Sequence, residues 1–119
     1  MAKSYINSDI ENVEISMEAI AQFAGSQALE CFGVVGMAAK SVSDGLMHLL
    51  KKESLTKGID VTTEPEGLVI EFHIIVAYGL NVCTIAQNLM ENVKYKVEEF
   101  TGLKVKSVNV MVEGVKVID

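Results

Sequence analysis

The chain has 119 residues, half of them apolar and 22% charged, with a single proline, so it can bury one self-supporting core and is neither disordered nor a low-complexity linker. Sixteen acidic residues against ten basic ones leave a net charge of -6, and every basic residue is a lysine. A surface that neutralises phosphates needs cations, above all the bidentate guanidinium fork, so nucleic acid is a disfavoured partner.

With no repeat, Pro/Ser-rich linker or break in composition, residues 1–119 read as a single α+β domain. Residues 1–9 are expected to fray, and the weak alternation of Ile10, Val13 and Ile15 predicts a short first strand. The polar and acidic N-terminus lacks the apolar run of a secretory signal. Ser16 is a good N-cap, with Glu18 in the first turn and Ile15 and Ile20 at staple positions. The helix it opens carries Ile20, Phe23, Ala24, Ala28 and Cys31 on one face and stops at Gly33.

Val34 to Ala39 is short, apolar and glycine-interrupted, as a buried strand would be. Ser43 can cap a second helix with Leu46, Leu49 and Leu50 inward and Lys51 and Lys52 at its C-terminal end. From Gly58 a hairpin follows: Ile59, Val61 and Thr63 alternate, Glu64-Pro65-Glu66-Gly67 turns, and Leu68, Ile70, Phe72, Ile74 and Val76 return. The stretch from Phe72 to Met90 lacks Asp, Glu and Lys and is long enough to cross a bilayer. The tetrad Tyr78-Gly79-Leu80-Asn81 splits it into strand, turn and helix, so no membrane insertion is expected. The third helix is capped by Asn81, stapled by Leu80 and Ile85, and ended by Gly102. The last segment alternates Val108, Val110 and Val112, then changes phase at Gly114 into Val115 and Val117, the mark of a bulged strand. The order is β-α-β-α-β-β-α-β, and helices of this amphipathic kind call for a mostly antiparallel or mixed sheet with the helices on one face.

No constellation announces a reaction, and neither a catalytic residue, a metal nor a cofactor is assigned. Cys31 and Cys83 lack partners at ligand spacing and read as reduced core residues of a cytoplasmic protein. Gly33-Val34-Val35-Gly36 matches the G-x-x-G loop with which KH domains clamp nucleic acid, but its flanks, Phe32 and Met37, are apolar, and a helix stop followed by close packing explains it better. Glu71 and His73 share one strand face and have the chemistry of an acid/base or metal pair. With no third ligand at a recognisable spacing they read as solvated residues. His48 among leucines, and Ser41, Ser43 and Asp44 beside it, lack an elbow or an oxyanion hole. Lys94, Lys96, Lys104 and Lys106 are interleaved with Glu91, Glu98 and Glu99 and form a mixed solvated surface. The second sheet face, with Val69, Glu71, His73, Ile75, Ala77, Asn109, Met111 and Glu113, is half apolar and is the expected interaction face.

Laid out this way, the chain resembles the alkaline-shock-protein, or envelope stress response, family of Gram-positive bacteria, in particular its short YloU-like members. The residues that carry the resemblance are Cys31-Phe32-Gly33-Val34-Val35-Gly36-Met37-Ala38, Lys57-Gly58-Ile59-Asp60-Val61, Ile74-Ile75-Val76-Ala77-Tyr78-Gly79, Gly102-Leu103-Lys104-Val105 and the run Ser107 to Val117. The resemblance implies a non-catalytic cytoplasmic protein of cell-envelope homeostasis that self-assembles or docks a protein partner, in some members a membrane-anchored one that holds it near the membrane. The alternatives are a KH-like nucleic-acid binder and an accessory regulator of a lipid or acyl-phosphate kinase system.

Overall fold

The structure is a computed structural model that describes residues 5–7, 14–38 and 58–118. Its elements are β1 (Tyr5–Asn7), β2 (Glu14–Ser16), α1 (Met17–Leu29), β3 (Val34–Met37), β4 (Ile59–Glu64), β5 (Gly67–Ala77), α2 (Val82–Thr101) and β6 (Val105–Lys116). They follow the expected α+β order. The helix expected from Ser43, and with it His48, Ser41 and Asp44, lies outside the described residues. One difference stands at the N-terminus. In place of a single strand there are two short ones, with Ile6 opposite Ile15, so Tyr5–Asn7 is paired where fraying was expected.

Each helix begins where its cap is. The Ser16 hydroxyl accepts a hydrogen bond from the Ala19 amide at 3.0 Å, and the Asn81 side chain accepts one from Thr84 at 3.0 Å. A cap of this kind is worth about 1 kcal/mol, whereas burying one large apolar side chain contributes roughly 1.5–3 kcal/mol. The caps set the ends; burial supplies the stability. In α1 the buried residues are Ile20, Ala21, Ala24, Gly25 and Ala28, and in α2 Ile85, Leu89, Val93, Val97 and Thr101. Phe23 of α1 stacks on Phe100 of α2 with centroids 4.3 Å apart, which joins the two helices across their outer rims.

The sheet is built around β5. Its Leu68–Ala77 stretch pairs with β6 in parallel, and its other edge is shared end to end by β4 and β3, both antiparallel. The sheet is therefore mixed, and the parallel pair uses α2 as its crossover. Ile70, Phe72, Ile74 and Val76 are fully buried in the cluster with Ile20, Ala24, Leu89 and Val93, which places both helices on one face.

The two ends of α2 are fastened differently. At its end Gly102, at φ 75°, donates to the Glu98 carbonyl at 2.9 Å, and the Glu98 carboxylate accepts from the Val105 amide at 2.9 Å, so the helix hands the chain directly to β6. At its start Ile85 packs into the turn after α1, where Gly33 has φ 89° and a Cβ would lie 2.5 Å from Ile85 Cδ1. Gly33 thus serves packing and Gly36 lies buried within β3: Val34–Met37 is a strand, not a loop between two helices, and a KH-type clamp is not formed there. Gly33→Ala should lower the unfolding free energy by about 1–3 kcal/mol from backbone strain alone, checked by urea denaturation; Asn81→Ala should cost only about 1 kcal/mol.

Candidate functional site

Alternation along β5 sends Val69, Glu71, His73, Ile75 and Ala77 away from the helices, and register decides what meets them. The two-residue turn Pro65-Glu66 pairs Glu64 with Gly67, and counting back along the hairpin sets Asp60 opposite Glu71. On the other side Asn109 lies beside Glu71 and Met111 beside His73. The register of β6 then slips: Val112 faces Ile74 and Gly114 faces Ile75, leaving Glu113 as the extra residue of a bulge. This is the phase change expected at Gly114.

Asp60, Glu71, His73 and Glu113 meet on that face from three strands. His73 Nδ1 is 2.7 Å from Glu113 Oε2, and Nε2 is 2.9 Å from Glu71 Oε2. One ligand atom each from Asp60, Glu71 and His73 lie within 4.8 Å of one another, close enough to hold a metal ion. Burial opposes charge on the His73 ring, but the hydrogen bonds to Glu113 and Glu71 and the charges of both carboxylates outweigh it and hold its pKa above the usual histidine value.

The expectation of solvated residues at Glu71 and His73 is corrected here: His73 is only 7% exposed and Glu71 is half-buried. Alternation within one strand tells which way a side chain points and nothing about the strands beside it. Of the expected interaction face, Ile75 is also buried, Val69, Ala77 and Glu113 are half-buried, and Asn109 and Met111 are exposed. The accessible part of this region therefore lies along β6. Met111, Val112, Val115, Val117 and Ile118 are 37–66% exposed, and among the described residues no strand pairs with the outer edge of β6.

The remaining candidates have structural uses. Cys31 is buried, its thiol pushed up in pKa by that burial, and its Sγ contacts the Gln27 carbonyl and Asn92; Cys83, expected in the core, is exposed in the first turn of α2. Lys106 forms ion pairs with Glu64 and Glu66 where the hairpin turn meets β6, as a mixed charged surface does. An open depression of about 300 Å³ beside that turn is lined by Thr63, Pro65, Leu68, Leu103 and Lys104 together with Glu64 and Glu66, the two carboxylates paired with Lys106. Among the described residues no helix is long and apolar enough to cross a membrane.

Residues 5–117 match the model of the alkaline shock protein 23 family, described as having a cell envelope-related function. The chain belongs to that family. It is 44% identical over 106 residues to the uncharacterized protein YloU of Bacillus subtilis, covering 88% of each chain. It is 37% identical over 114 residues to the uncharacterized protein Spy1614 of Streptococcus pyogenes, covering 95% of this chain and 94% of that one. A third relative, the uncharacterized protein YqhY of Bacillus subtilis, is 27% identical over 104 residues, 87% of this chain and 76% of that one. No solved structure matches the chain. The residues that carry the resemblance to alkaline shock proteins thus belong to one family domain that takes in nearly the whole sequence.

Proton uptake by the ring between Glu71 and Glu113 makes stability depend on pH. His73 binds its proton more tightly folded than unfolded, so in chelator-treated protein the stabilisation is complete below about pH 6.5 and is lost as pH rises through the higher folded value. Urea midpoints measured across that window should fall with pH, and His73→Gln should remove the slope.

Proposed function

We propose that this chain is a non-catalytic interaction module of cell-envelope function that pairs with a second copy of itself along β6. The observation that supports this most directly is the outer edge of that strand. β6 runs for 12 residues, long for an edge, and of the devices that commonly blunt an edge it has a bulge and two lysines, Lys106 and Lys116, which stand at its two ends. Here Met111, Val112 and Val115 stand exposed on it, and Val117 and Ile118 extend the apolar run beyond it. Antiparallel addition of an identical strand about a two-fold axis satisfies the backbone groups that no described strand pairs and covers those side chains from both partners at once.

Membership of a cell envelope-related family agrees with this reading. A protein partner, including a membrane-anchored one that holds a cytoplasmic protein near the envelope, would meet the same strand edge. The net charge of -6 and the lack of arginine continue to disfavour nucleic acid.

Met111→Lys together with Val115→Lys places like charges across the proposed two-fold pairing and leaves the core alone. Light scattering after gel filtration should give a dimer mass or larger for the native chain and a monomer for the double variant, with unchanged circular dichroism. A native chain that is monomeric at high micromolar concentration, or a double variant that still assembles, defeats the proposal.

A further inference from the structure

We propose that Asp60, Glu71 and His73 bind one divalent transition-metal ion, with Glu113 orienting the imidazole from behind. The claim is independent of pairing through β6, since it concerns the sheet face and not its edge.

The first argument is a count of protons. A neutral imidazole has one N–H, yet both ring nitrogens of His73 lie within hydrogen-bond distance of a carboxylate oxygen, Glu113 Oε2 at 2.7 Å and Glu71 Oε2 at 2.9 Å. If the ring proton sits on Nδ1 and is donated to Glu113, the lone pair on Nε2 faces a carboxylate oxygen. Two such acceptors repel unless a cation lies between or beside them. A second proton is one solution, but Glu71 and Glu113 then share a single imidazolium charge in a half-buried space. A divalent ion on a neutral ring offsets two of the three carboxylate charges of Asp60, Glu71 and Glu113, where an imidazolium offsets one.

The second argument is the donor set and how it is held. Asp60 and Glu71 are opposite one another on adjacent strands, His73 is two residues further along β5, and the three ligand atoms lie within 4.8 Å of one another. Ligand atoms around a tetrahedral zinc ion stand on the order of 3.3 Å apart, so the approach of Nε2 to Glu71 is already close to that spacing, with the Asp60 carboxylate inside the same 4.8 Å limit. Metal-bound histidines characteristically donate their other ring N–H to a carboxylate, the part Glu113 plays here. The bulge in β6 is what leaves Glu113 as the extra residue beside His73. All four residues stand on strands and His73 is 7% exposed, so the ring is fixed by packing before any ion arrives. One imidazole with carboxylates suits a borderline ion such as Zn²⁺, whereas Ca²⁺ prefers a cage of six or more oxygens.

The test is equilibrium dialysis and calorimetry of the full-length, chelator-treated chain with ZnCl₂. Expected are one saturable ion per chain and a raised melting temperature. His73→Gln should abolish saturable binding, Glu113→Gln should keep the stoichiometry but weaken affinity about 10- to 100-fold, and Glu91→Gln, an exposed acid on α2, should change nothing. Should His73→Gln fail to fold by circular dichroism, Asp60→Asn answers the same question through loss of affinity. Cys83→Ser must leave binding intact, since zinc held by that exposed thiol would overturn the assignment. Absence of saturable binding, zinc binding undiminished by both ligand substitutions, or Mg²⁺ matching Zn²⁺ in affinity and stoichiometry would likewise overturn it.

Discussion

Hydrogen bonding along both edges of β5 is the constraint from which the rest of the molecule follows. This one strand pairs with β3, β4 and β6, so its register sets theirs, and its two faces carry opposite kinds of chemistry. On one side Ile70, Phe72, Ile74 and Val76 take the helices; on the other Glu71 and His73 meet carboxylates brought by the neighbouring strands. A register error of one residue would exchange the two sets and bury charge against α1 and α2, which makes the native register strongly preferred.

How much of this the sequence discloses depends on the range of the interaction. The helix ends were legible because caps are local: Ser16, Asn81 and Gly102 each act within a few residues of themselves. The hairpin and the bulge at Gly114 were legible for the same reason, one from its turn and the other from a change of phase. Asp60 carries no local mark of its place in the polar cluster, although the two-residue turn contains the count that sets it opposite Glu71. The pairing of His73 with Glu113 is different in kind, because it spans 40 positions and depends on how a parallel strand returns after a whole helix. No local pattern encodes that return, so an apparently solvated histidine proved to be buried.

The face and the edge of the sheet do different work with adjacent residues. The inner part of the outer face is closed by its own polar pairings around His73, while β6 keeps apolar side chains and backbone groups turned outward. The cell envelope-related family model takes in this face and this edge together, since its match runs over residues 5–117.

The parallel alliance of β5 with β6 also imposes an order of events on the growing polypeptide. Synthesis delivers β5 first, then all of α2, and only then the strand that closes the sheet. Until that strand emerges, β5 has one satisfied edge, and the buried ring has lost a carboxylate neighbour. A nascent chain halted inside α2 would therefore show a usable hairpin beside an exposed, aggregation-prone flank, a window in which a chaperone has most to offer.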